Sequence, residues 1–194
     1  MVRAKKSTVA SLALSIAFAI YHLVAGLLTG SWWLLTLASY YLVLSVVRFV
    51  VLRSKSNGQF ITEFTGGMLM LLSVSLIGTA IMAVVQDRGH KLHMIVMIAI
   101  AAHAFAIITL AIVKLIKARR SRSAVLTALR NVSLAEALAS IFALQRSMLV
   151  SFDGMSEGEI IIMNASLGSA VCVSCFLLGL RLLVKGKKDK YPAS

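Results

Sequence analysis

Six long apolar runs, separated by short polar turns, limit this chain more than any other feature. They cover about residues 8–29, 32–52, 61–85, 92–116, 124–150 and 160–184. Each is close to the roughly 20 residues that an α-helix needs to cross a bilayer, with some allowance for tilt. Inside hydrocarbon every backbone N–H and C=O must find a partner within the protein, so a continuous apolar run of this length implies a helix. The 194 residues include one proline, Pro192, which lies beyond the last run, so nothing breaks the implied helices. The expectation is an all-α, polytopic membrane protein: one domain over 1–194, with six transmembrane helices and short loops. A hydrophobic fraction of 59% and a mean hydropathy of +0.91 agree with it. The first run is longer than the apolar core of a secretory signal and reaches Trp32 without a small-residue cleavage site, so it reads as a retained span.

The charges orient the bundle. Grouping the N-terminal tail, the turns after the second and fourth runs and the C-terminal tail on one side collects 17 of the 20 Lys and Arg, with Arg48 and Arg130 among them. Arg88, Lys91 and Arg146 fall on the other side. By the positive-inside rule, both termini are expected in the cytoplasm and the protein in the cell membrane. The net charge of +13 is distributed between apolar runs, not gathered on a soluble face. It therefore points to anionic lipid headgroups and not to nucleic acid. The densest cluster, Lys114, Lys117, Arg119, Arg120 and Arg122, is the candidate contact for headgroups or a protein partner. No polar stretch is long enough for a soluble enzyme domain or a large ectodomain. Cys172 and Cys175 both lie in the last run, where they read as small packing residues.

Glu136 carries the chemical interest. It sits about a dozen residues into the fifth run, where a charge costs at least about 2.5–3.5 kcal/mol. Helical spacing puts it on a face with Val132, Ser133, Ala139, Ser140 and Ala143, small and mildly polar, as suits a face turned to other helices or a wet cavity. It can serve as a cation or proton site, or as a structural carboxylate paired with Arg130 or with an Arg or His of a neighbouring helix. His22 and His103 are mid-span and can hydrogen-bond across helices without further role. His90 and His93 flank Lys91 at the third turn, too few for a metal site. Tyr40 and Tyr41 are too deep for an interfacial belt, so their hydroxyls are expected to bond to another helix. Gly26 and Gly30 are spaced for close helix approach, as are Gly66, Gly67 and Gly78 of the third run. No hydrolase elbow, phosphate loop, zinc-protease motif or dinucleotide fingerprint occurs, and no cofactor or metal is expected.

Two stretches, Ala25-Gly-Leu-Leu-Thr-Gly-Ser-Trp-Trp-Leu-Leu35 and SAVLTALRNVSLAEALASIFAL from Ser123 to Leu144, resemble the membrane domain of the cation diffusion facilitator family. The first resembles that family's junction between helices one and two, the second its entry into helix five after a basic loop. The resemblance implies six spans with both termini inside, and a divalent metal held between helices two and five by Asp or His four residues before an Asp. At the matching positions this chain has Val132 and Glu136 on the fifth run, and Tyr40 and Leu44 on the second. The family's metal-binding domain after helix six has no counterpart in these residues.

Two functions follow as expectations. The first is a small transporter-like protein moving a cation or a proton, with Glu136 as its ionisable centre and His103, Tyr40 and Ser140 as neighbours. The second is a non-transporting relative of that fold, acting as a partner subunit or lipid-binding scaffold. A homodimer is among the expected assemblies. A wet cavity reaching Glu136 between helices two, four and five would favour transport; a closed bundle with Glu136 paired to an arginine would favour the scaffold.

Overall fold

The computed structural model describes residues 2–54, 57–85, 94–118, 123–151 and 155–190. They form six α-helices: α1 (Val2–Thr29), α2 (Trp32–Arg53), α3 (Gly58–Val85), α4 (Met94–Ala118), α5 (Ala124–Ser151) and α6 (Glu157–Lys190). All six are long and apolar enough to cross a membrane, so the chain is a multi-pass membrane protein. Large apolar side chains such as Leu28, Val74, Phe105 and Ile162 project outward, as they must where the surrounding solvent is lipid. The helices match the expected spans closely, except that α1 begins at Val2, within the basic N-terminal tail, and α6 continues through the Lys185 cluster to Lys190.

The ends of the helices have local causes. Gly30 adopts φ +63°, a left-handed conformation that glycine enters without strain, and it turns α1 directly into α2. Across that turn Ser31 N–H donates to Gly26 O, and a Cβ on Gly26 would lie 3.0 Å from the Leu35 side chain. The Gly26/Gly30 spacing thus builds a tight hairpin between consecutive helices. At the start of α6, Ser156 N–H and Oγ both donate to Glu159 Oε2, and Glu159 N–H lies 3.4 Å from Ser156 Oγ, a reciprocal cap for orphaned N–H groups.

Packing relates the two halves of the chain: α1 lies along α2 as α4 lies along α5, while α3 leaves its own half and pairs with α6. At that crossing Gly66 meets Gly179: a Cβ on either would come within 2.8 Å of the other's carbonyl oxygen. Gly67 and Gly78 have nothing within 4 Å of a built Cβ, so of the third-run glycines expected to admit a neighbour only Gly66 does so. The core centres on α2 and α5, whose inward faces include Tyr41, Leu44, Val47, Ala128, Val132 and Ala135.

Candidate functional site

α5 presents Ser133, Glu136 and Ser140 on one buried face, the face expected from the sequence. Glu136 is 1% exposed, and opposite it on α2 lies Arg48, which is fully buried. Arg48 Nη2 donates to Glu136 Oε2 at 2.6 Å. Ser15 of α1 donates its hydroxyl to the other oxygen, Oε1, and itself accepts from Arg48 Nη1 at 2.8 Å. Arg48 Nη2 also reaches Ser133 Oγ at 3.2 Å, and Lys114 Nζ of α4 donates to that same oxygen at 3.0 Å. Four helices therefore meet at one charged layer. Each oxygen of the carboxylate has a charge-assisted or hydroxyl partner, which offsets the cost of holding charge at this depth.

A second polar layer lies two to three turns along the same helices. Seven residues on from Ser15, α1 carries His22; seven back from Arg48, α2 carries Tyr41; seven on from Ser133, α5 carries Ser140; eleven back from Lys114, α4 carries His103. Spacings of seven and eleven return a helix to nearly the same face, so the layers stack inside the four-helix group. Tyr41 OH lies 3.0 Å from Ser140 Oγ, and Ser140 Oγ donates to Glu136 O at 2.9 Å. The Ser140 proton is thereby committed to its own helix, which makes Tyr41 the donor of the pair. His103 stacks on Phe18 with ring centres 3.6 Å apart and packs nearly perpendicular to the Tyr41 ring, centres 5.3 Å apart.

Of the candidates read from the sequence, Glu136 and Ser140 stand together. Tyr40 lies one residue round α2: its hydroxyl donates to Ala135 O at 3.3 Å, so it ties α2 to α5 beside the carboxylate without touching it. Both tyrosine hydroxyls bond to another helix, as their depth implied. His103 is separated from Glu136 by Tyr41 and Ser140. Neither histidine makes the expected cross-helix hydrogen bond among the described residues: His22 Nδ1 bonds Phe18 O of its own helix.

Arg48 and Lys114 depart most from the sequence reading. Arg48, grouped there with the cytoplasmic charges, is the buried partner of Glu136; Arg130 is not, because six residues on one helix place two side chains on different faces. Lys114, expected among the headgroup contacts, turns its ammonium inward to Ser133. Arg119, Arg120 and Arg122 lie outside the described residues, as do the Lys117 side chain, His90 and His93. Arg146, placed at the outer end of the fifth run, is buried with its guanidinium over the Trp33 ring at 5.1 Å. The signal for Arg48 was available: it lies inside the second apolar run, and an arginine at that depth needs a carboxylate.

Among the described residues, apolar grooves lie between α2 and α3, α1 and α2, and α5 and α6. The groove between α2 and α3, about 560 Å³, is lined by Tyr40, Thr36, Ser39 and Thr79 among others; none of these grooves is lined by Arg48 or Glu136. Among the described residues no three His, Cys, Asp or Glu side chains converge as a metal site would require. Comparison with known proteins finds no matching family model and no matching curated relative.

Proposed function

We propose that this chain is a non-transporting multi-pass membrane protein on a transporter-like bundle, serving as a partner subunit or lipid-binding scaffold. The observation that carries this reading is the closure of Glu136. A carboxylate that exchanges a cation must give up its counter-charge and meet water in turn. Here a guanidinium tethered to α2 and a serine of α1 take both oxygens. Removing Arg48 from a buried pair costs about 3–5 kcal/mol, which opposes exchange of that partner for a mobile ion.

The resemblance to the cation diffusion facilitator membrane domain supports a degenerate kinship. That family holds its transported metal between helices two and five, and in this chain the tethered cation Arg48 stands in the seam between α2 and α5. The basic ends of the helices face the cytoplasm in this proposal, with both termini there. With Arg48 and Lys114 turned inward, 15 of the remaining 18 Lys and Arg keep to that side. Arg181, Lys185 and Lys187 are exposed there on α6 and offer the charge for anionic headgroups or an acidic partner surface.

A second reading, transport of a cation or proton through Glu136, is favoured by the linked polar side chains Lys114, Ser133, Arg48, Glu136 and Ser140. Ion flux into proteoliposomes separates the two. Gradients of protons, sodium, potassium, zinc and manganese are imposed on the native protein and on Glu136→Gln. The proposal expects no flux from either. Flux that vanishes in a folded Glu136→Gln protein would replace it with the transporter.

A further inference from the structure

Next to the charged layer, two imidazoles leave nitrogens unmatched. His22 on α1 and His103 on α4 are 1% and 2% exposed, and the Nε2 of each has no hydrogen-bond partner among the described residues. Stranding a buried polar group costs about 1–3 kcal/mol. Two stranded nitrogens in one layer therefore call for a ligand that the side chains do not supply.

The geometry narrows what that ligand is. His22 Nδ1 lies 2.8 Å from Phe18 O, and a carbonyl oxygen only accepts. Nδ1 therefore carries the proton and Nε2 presents a lone pair. The ring packs against those of Tyr21 and Tyr41, with centres 5.6 Å and 5.5 Å away. His103 is held by its stack on Phe18 and by its perpendicular contact with Tyr41. The two imidazole centres stand 6.3 Å apart, and α1 and α4 touch each other only lightly, so rings and not backbones occupy the space between them. With each Nε2 turned into that space, the nitrogens stand about 4–4.6 Å apart, the span of two hydrogen bonds of about 2.8–2.9 Å meeting at a single oxygen.

We infer that one buried water molecule is bound between His22 Nε2 and His103 Nε2, enclosed by α1, α2 and α4. The water donates one hydrogen to the lone pair of His22. With His103 it donates its second hydrogen or accepts, according to the tautomer of that ring. A metal ion suits the place less well. Two neutral imidazoles bring no counter-charge, Glu136 is already matched by Arg48, and an uncompensated charge at this depth costs at least about 2.5–3.5 kcal/mol. Water adds no charge and satisfies both nitrogens. The inference holds for a scaffold and for a transporter alike. It also extends the polar core: Tyr41 faces both rings and bonds Ser140, which bonds back to Glu136.

The experiment is solid-state NMR of the full chain in lipid bilayers with 15N-labelled histidine, reading polarisation transfer from water to the ring nitrogens. His22→Phe and His103→Phe assign the signals and preserve the aromatic packing. The expected result is a His22 ring protonated at Nδ1, transfer to both buried rings in the native protein, and loss of transfer to each ring when the other is phenylalanine. A native protein whose two rings receive no transfer would overturn the water site, and that measurement needs no variant to fold. Transfer to each ring that persists unchanged in the other's variant would also overturn it, because the hydration would then be independent. About one tightly bound metal ion per chain by elemental analysis, with the histidine shifts altered by a chelator, would replace the water with a metal.

Discussion

The α2–α5 seam and the α3–α6 seam hold this protein together by opposite means. Between α2 and α5 the contact is chemical: a carboxylate, a guanidinium and hydroxyls, each satisfied by a group on another helix. Between α3 and α6 it is steric: Gly66 and Gly179 remove side chains so that the backbones can approach. Lipid tails are as apolar as leucine, so helices in a bilayer gain little from hiding apolar surface from one another. Close packing and interhelical polar contacts remain, and this chain assigns one to each seam. The steric seam tolerates any sequence that keeps its glycines. The polar seam demands particular partners and fails when one is removed.

The largest effect should come from unbalancing the polar seam. Glu136→Leu leaves Arg48 buried without its carboxylate and should cost about 3–5 kcal/mol, whereas Arg48→Met combined with Glu136→Leu should recover most of the loss. Thermal unfolding in lipid–detergent micelles reads both. A double variant as damaged as the single one would show that the pair is not the stabilising unit.

The steric seam should respond next. Gly179→Leu drives a side chain into Gly66 O and Met70 and should cost about 1–3 kcal/mol. Gly67→Leu, with nothing near its built Cβ, should be silent. Disulfide trapping between cysteines placed on α3 and α6 measures the separation. Equal effects at the two positions would refute a glycine-specific contact.

A smaller loss is expected where α2 meets α5 at the Trp33 end. Trp33→Leu removes the ring beneath Arg146 and should lower stability by about 0.5–2 kcal/mol, while Trp33→Phe should retain part of that, as judged by midpoint shifts on the same unfolding curves. Ser133→Ala should matter least, about 0.6 kcal/mol, although its hydroxyl serves both Arg48 and Lys114. A loss as large as that of Glu136→Leu would make the serine, not the carboxylate, the centre of the layer.

Much of the candidate site could be read along the chain. Glu136 stood out because charge is expensive in an apolar run, and its small, polar face on α5 followed from helical spacing. Tyr40 and Tyr41 were legible by depth, since a buried phenol needs an acceptor. Arg48, inside the second run, called for a carboxylate without saying which one; the role of Lys114 was not legible, because it lies near the end of the fourth run. A cation there can snorkel to the headgroups or turn inward with the same local sequence. Ser15, one serine among many, carried no signal at all.

Hydropathy is a property of consecutive residues, and it determined the helices, their number and their approximate limits: within a bilayer each segment must satisfy its own backbone whatever its neighbours do. Which helices pair is not a property of consecutive residues. Arg48 and Glu136 are 88 positions apart, and Gly66 meets Gly179 only because α3 leaves its own half of the chain for α6. The tertiary structure decided whether the buried carboxylate faces water, a mobile ion or a fixed guanidinium, because that depends on which face of α2 is turned towards α5.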